Sequence, residues 1–196
     1  FEGAPVQHQI TKVSKELADA YKGDYAHFTL KEISDQPATV VKAGENTKLE
    51  LDLVTEAVKH AKSLYITGSG TSYNAALVAK HLFSKYAKIK MESIISSEVQ
   101  FSHNYFDHQS ILIALSQSGE SADVLEAVKI AQKDGAKIIS IVNMMTSSLV
   151  QMSSISIGLN CGPEIGVAAT KSFTSQLAIL YKIADKLCEG GIGLDF

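Results

Sequence analysis

Two runs, Ile111-Leu112-Ile113-Ala114-Leu115 and Ile138-Ile139-Ser140-Ile141-Val142, are apolar or small at consecutive positions rather than alternate ones. A strand with one wet face alternates, so such runs belong to strands covered on both faces, the mark of a parallel sheet between helical layers. The rest of the chain fits that constraint. Strands are expected at 64–67, 90–95, 111–115, 137–142 and 155–159, and helices at 73–86, 122–134 and 169–188, with short helical turns near 97–103 and 147–152. Gly135 stops the helix that precedes the fourth strand. Strands alternating with helices through right-handed crossovers predict an α/β fold, a three-layer αβα sandwich around a five-stranded parallel sheet of the flavodoxin-like kind.

Upstream, residues 49–61 read as an amphipathic helix with Leu49, Leu53 and Val58 on its core face. Phe28 to Ile33 reads as a short helix stopped by the restriction that Pro37 places on its predecessor, with a second helix able to resume with Pro37 near its start. Residues 1–27 differ from the rest: Gly3-Ala4-Pro5-Val6, with alternating Val6, His8 and Ile10, reads as an edge strand, and Lys12 to Gly23 as a polar linker. The expected division is 1–27 as linker, 28–190 as the domain and 191–196 as a tail, with no internal repeat.

With 196 residues, 45% of them apolar, the chain has enough material for one sizeable core. Its net charge is −3 and it has no basic run, which excludes a nucleic-acid surface that tracks phosphates. All 18 basic residues are lysines. Without arginine forks, a bound phosphate must be held by hydroxyls, backbone amides, a helix dipole or a lysine. Cys161 and Cys188 form no metal-spaced pair and read as small packing groups rather than a disulfide; the six histidines show no HExxH spacing and read as structural or solvent-facing. No run reaches membrane-spanning length and no signal peptide opens the chain, so the expected location is cytoplasmic.

The chemistry concentrates where expected strands turn into helices. Leu64-Tyr65-Ile66-Thr67-Gly68-Ser69-Gly70-Thr71-Ser72-Tyr73 passes from strand to helix through two glycines and four hydroxyls. Glycines let the backbone bend and approach a ligand, and a helix N-terminus favours an anion, so a phosphate is the natural guest. A Walker A loop is excluded because no lysine lies between Lys62 and Lys80; a dinucleotide fingerprint is weakened by Tyr73 at the third glycine position, although Glu98 keeps it open. Ser116-Gln117-Ser118-Gly119-Glu120-Ser121 follows the third strand in the same way. Ser121 reads as an N-cap, and Asp123 and Glu120 as partners of a helix dipole. A third loop, Asn160 to Lys171, enters the last helix; there Glu164 reads as a helix cap and Lys171 as a solvated first-turn residue.

Gly68-Ser-Gly-Thr-Ser-Tyr-Asn74, Leu115-Ser-Gln-Ser-Gly-Glu-Ser121 and Pro163-Glu-Ile-Gly-Val-Ala-Ala-Thr-Lys171 together resemble the three signatures of the sugar isomerase (SIS) domain. More narrowly they resemble the first of two such domains in the glutamine:fructose-6-phosphate aminotransferase family. Phe28-Thr-Leu-Lys-Glu-Ile-Ser-Asp-Gln-Pro37, preceded by Asp24-Tyr25-Ala26-His27, resembles the opening of that family's isomerase part. The resemblance covers residues 24–188. It implies that Ser116, Gln117, Ser118 and Ser121 hold the phosphate of fructose 6-phosphate or glucosamine 6-phosphate, that Ser69, Gly70, Thr71 and Ser72 meet sugar or phosphate, and that the backbone of Val167 touches the sugar. Ser69 stands where many members have cysteine, and Ala169 where many have serine.

The resemblance also implies what is missing. The family's glutaminase nucleophile is an N-terminal cysteine, whereas this chain opens with Phe1, and Glu2-Gly3-Ala4-Pro5-Val6 resembles the end of a glutaminase domain. The family's acid-base glutamate, ring-opening histidine and Schiff-base lysine belong to a second SIS domain and a C-terminal tail. The expectation is a substrate-binding half without catalytic residues, needing no cofactor, part of a homodimer whose full chain adds the glutaminase and second SIS domains. Two alternatives stay open: a stand-alone sugar-phosphate isomerase, and a non-catalytic sugar-phosphate sensor.

Overall fold

A computed structural model describes residues 21–45, 48–102 and 105–193. The edge strand expected near residues 4–10, most of the linker and the end of the tail lie outside the described residues. Five strands, β1 (Ser63–Gly68), β2 (Glu92–Ile95), β3 (Ser110–Ser116), β4 (Lys137–Val142) and β5 (Ile155–Gly158), form one sheet in the order β2-β1-β3-β4-β5. Every pairing is parallel. The expected α/β sandwich is therefore the observed one, and each strand lies within two residues of its expected bounds.

All seven residues of β3 are buried, and its side chains divide between two cores. Ile111, Ile113 and Leu115 join Ile66, Ile139, Ile141 and Ile157 on one face, under α1 (Phe28–Glu45), α2 (Lys48–His60), α3 (Thr71–Leu82) and α6 (Lys171–Leu187). Leu112 and Ala114 join Ile138 and Val142 on the other, under α4 (Ala122–Lys133), with the short α5 (Ser148–Gln151) beside it. Each fully buried Leu or Ile contributes about 1.5–3 kcal/mol, so β3 alone anchors both layers.

Two expectations about the first helices are corrected. Pro37 neither stops nor starts a helix: it lies inside one continuous helix, α1. Proline removes the N–H that would bond the carbonyl of Ile33, but Pro37 and Ile33 are both exposed, so that carbonyl can be met by water. Burial of Glu32, Thr39 and Ala43 on both sides of the proline then outweighs the loss. On α2, Leu49 and Leu53 are not core residues; they are 72% and 50% exposed, and the buried stripe is Leu51, Val54, Thr55 and Val58. That set follows the i, i+3, i+4, i+7 spacing of a helix face, whereas Leu49 and Leu53 lie around the far side.

Candidate functional site

The carboxyl ends of β1 and β3 are hydrogen-bonded neighbours, with Gly68 opposite Leu115. Their connections leave to opposite faces, α3 to one and α4 to the other. This is the switch point of the sheet, where open α/β sheets hold their ligands. After β1 the chain turns within two residues. A Cβ on Gly68 would stand 3.0–3.1 Å from Ser72 and the Tyr73 amide, so only glycine lets the start of α3 lie this close to its strand. Gly68 thus does what the third glycine of a dinucleotide loop does elsewhere, which explains why Tyr73 is tolerated. Gly70 takes φ +53° at the N-cap, and no side chain caps α3.

The hydroxyls of this turn are oriented from outside it. Ser69 Oγ lies 2.6 Å from Ser96 Oγ, which brings the carboxyl end of β2 into the site. Ser72 Oγ accepts a 2.9 Å hydrogen bond from Nε2 of Gln176 on α6. Both Ser96 and Gln176 are buried, and neither stood out in the sequence; a polar Gln176 amid the apolar stripe of α6 was the available signal.

Beyond β3, Ser116 Oγ accepts from the Gly119 amide at 2.9 Å and Ser118 Oγ from the Glu120 amide at 3.2 Å. Each hydroxyl keeps its own hydrogen to donate. The turn is held to the next loop by Asn143 N donating to Gln117 O and Leu149 N to Gly119 O, both at 3.1 Å. Ser121 is the N-cap of α4 by position, as expected, but its side chain makes no cap bond. Glu120 acts on a different helix from the one expected: its Oε1 accepts the Ser148 amide at 2.7 Å, in the first turn of α5. Ser69, Gly70, Thr71 and Ser72 therefore sit on one turn and Ser116, Gln117, Ser118 and Ser121 on the next, at adjacent strand ends about 4.8 Å apart.

The third loop is built differently. Glu164 accepts the amides of Thr170 and Ser172 and both their hydroxyls, capping α6 as expected. Lys171 is not solvated: it is 3% exposed and its Nζ pairs with Asp35 on α1 at 3.3 Å, while Lys31 reaches the same carboxylate at 2.7 Å. Burial pulls the Asp35 carboxyl upward, but hydrogen bonds and charge from Lys31 and Lys171 outweigh it and hold the group below its ordinary value. Glu32, buried on α1, accepts the amides of Ile165 at 2.6 Å and Gly166 at 3.0 Å. A Cβ on Gly166 would meet Glu32 Oε2 at 2.5 Å. Val167 stands just beyond this clamp with its side chain fully exposed, on a different loop from the hydroxyl turns.

Cys161, at the start of that loop, is buried, and its thiol and amide both face Asn143 Oδ1. Burial, and then the charge of Glu164, push the thiol up to about 12, so it is an inert packing group. Neither cysteine is in a disulfide. With Lys171 committed to Asp35, the loops at the switch point offer an anion hydroxyls and the uncapped starts of α3 and α4 rather than a side-chain cation. An open depression of about 410 Å³ lined by Lys62, Lys90, Glu92, Tyr65 and Tyr105 lies at the opposite, amino ends of β1 and β2 and includes none of these groups. Among the described residues no helix is long and apolar enough to cross a membrane.

Comparison with known proteins agrees with this fold. At the level of sequence, the chain is 40% identical over 195 residues to the glutamine–fructose-6-phosphate aminotransferase (isomerizing) of Thermotoga maritima, and 38% identical over 186 residues to that of Pyrococcus horikoshii. Those matches take in 96% and 94% of this chain but 32% and 31% of the relatives, so the chain spans about a third of their length. Among solved structures, the C-terminal domain of glucosamine-fructose-6-phosphate aminotransferase from Francisella tularensis superposes with a TM-score of 0.78 at 36% identity, over 85% of this chain and 49% of that one. The family model of the SIS domain matches residues 57–184, from the last turn of α2 to near the end of α6 and across all three loops, and the chain belongs to the SIS-domain family.

Proposed function

We propose that the chain binds a hexose phosphate, fructose 6-phosphate or glucosamine 6-phosphate, across the carboxyl ends of β1 and β3, as the non-catalytic half of the isomerase part of a glutamine:fructose-6-phosphate aminotransferase. The observation that carries this reading is the pair of adjacent helix starts, α3 and α4, that no side chain caps and that are ringed by hydroxyls. Phosphate suits such a place, because hydroxyl hydrogens donate and the helix dipoles favour negative charge, although the Ser72 and Tyr73 amides of α3 already donate to the carbonyls of Ser69 and Gly70. In this reading Ser116, Gln117, Ser118 and Ser121 hold the phosphate, Ser69, Gly70, Thr71 and Ser72 the sugar or phosphate, and Val167 the sugar through its backbone. The names of the relatives supply the substrate class.

The same reading assigns no acid-base residue to this chain. Moving a proton between adjacent carbons needs a base free to reach it. Glu120 and Glu164 are instead bonded to the amides of Ser148, Thr170 and Ser172. Catalysis then falls to a second SIS domain, with ammonia from a glutaminase domain, residues 1–27 belonging to the end of that domain and its linker. A homodimer and a cytoplasmic location complete the proposal. Exposed apolar side chains on α1 and α2, Leu30, Ile33, Val41, Leu49 and Leu53, and two unpaired cysteines support them.

The test is thermal unfolding with fructose 6-phosphate, glucosamine 6-phosphate, plain fructose and NAD, since a ligand that binds only the folded state raises its stability. Both sugar phosphates should raise the melting temperature, fructose and NAD should not, and Ser118→Ala with Ser121→Ala should abolish the shift. Sedimentation of the same samples reports the dimer. Stabilisation by NAD alone, or by no sugar phosphate, would sink the assignment.

A further inference from the structure

Gln176 is 1% exposed on α6, beside Ser175, Ile179 and Leu180, which are buried too. Its amide makes one bond, from Nε2 to Ser72 Oγ at 2.9 Å, while Oε1 has no partner. A buried amide with an unpartnered oxygen costs the fold more than its single bond returns, so stability alone does not account for glutamine here; an apolar side chain of the same length would pack as well without the orphan. What the amide does achieve is local to Ser72.

A serine hydroxyl can accept or donate, and a phosphate oxygen can only accept. The Gln176 N–H occupies a lone pair of Ser72 Oγ, which leaves the hydroxyl hydrogen to be donated away from α6. Ser72 is the second residue of α3, whose first turn no side chain caps. We infer that Gln176 is a positioning residue that fixes Ser72 as a hydrogen-bond donor toward the anion of the ligand. The inference rests on the proposed sugar-phosphate site and adds to it a residue from the neighbouring helix of the same layer that touches no ligand.

The test is a double-mutant cycle on the 196-residue chain, with affinity for fructose 6-phosphate and melting temperature without ligand both measured. Gln176→Met should keep or raise the melting temperature while weakening binding about three- to tenfold, the range of one hydrogen bond. In the Ser72→Ala background the same change should cost no further affinity. Gln176→Asn, which keeps an amide but withdraws it by one methylene, should show the same loss and serves if the methionine variant does not fold. Full affinity in both Gln176 variants, or losses that add in the double variant, would overturn the inference and leave the site standing. A wild-type chain with no affinity for fructose 6-phosphate would overturn both.

Discussion

At Gly119 a side chain has nowhere to go. The residue takes φ +69°, and a Cβ there would lie 2.1 Å from Ser147 Oγ and 2.9 Å from Val142 Cγ2. Gly70 is also left-handed at φ +53°, yet nothing lies within 4 Å of its Cβ position. The two glycines separate backbone strain from crowding. Gly70→Ala should cost about 1–3 kcal/mol from strain alone, and Gly119→Ala about 2–5 kcal/mol because overpacking adds to it. Urea unfolding of the two variants measures both; equal losses would mean that the turn after β3 relaxes around the new methyl group. Residue by residue, the candidate hydroxyls were legible because they are contiguous on short turns. The groups that orient them were not, since Gln176 meets Ser72 across 104 positions of sequence and Glu32 meets Ile165 across 133. No local pattern signals a partner so distant.

Helix α1 ties itself to the start of α6 through charge, and that tie has a pH dependence. Asp35 is held below its ordinary value of 3.8, because Lys31 and Lys171 outweigh the upward pull of burial. A carboxyl depressed in the folded state stabilises it fully above the unfolded value, and the contribution fades as pH falls through the lower folded value. Asp35→Asn should therefore destabilise the chain by about 1–3 kcal/mol at neutral pH, since it leaves the buried Lys171 without its counter-charge. The gap to wild type should narrow once pH falls below the unfolded value and close only below the lower folded one. A gap constant from neutral to acid pH in denaturant titrations would show that packing, not charge, explains the loss. Element existence was readable from periodicity, but the faces of α1 and α2 were less so. Pro37 reads as a break when only local geometry is considered, and continuous packing on α6 overrides it. On α2, leucines at 49 and 53 attract attention by size, while the spacing of Leu51, Val54, Thr55 and Val58 carries the true face.

Across the whole molecule, the three-layer architecture follows from strands with no polar face, which can exist only between two layers. That much was visible in the apolar runs of β3 and β4. What it implies for stability is that the two layers are not independent, because successive residues of one strand serve both. Leu112 faces the α4 layer and its neighbour Ile113 faces the α3 and α6 layer, and both are completely buried. If either layer came away, β3 would expose one full row of side chains while the other row still held the sheet, a state with a large apolar face and little to offset it. Leu112→Ala and Ile113→Ala should each cost about 2–5 kcal/mol, and neither should separate the layers. Far-UV circular dichroism and tyrosine fluorescence should then trace one coincident urea transition in both variants, as in the parent chain. A split between the two probes in either variant would show that one helical layer can leave while the sheet stays, and that β3 does not bind the molecule into a single cooperative unit.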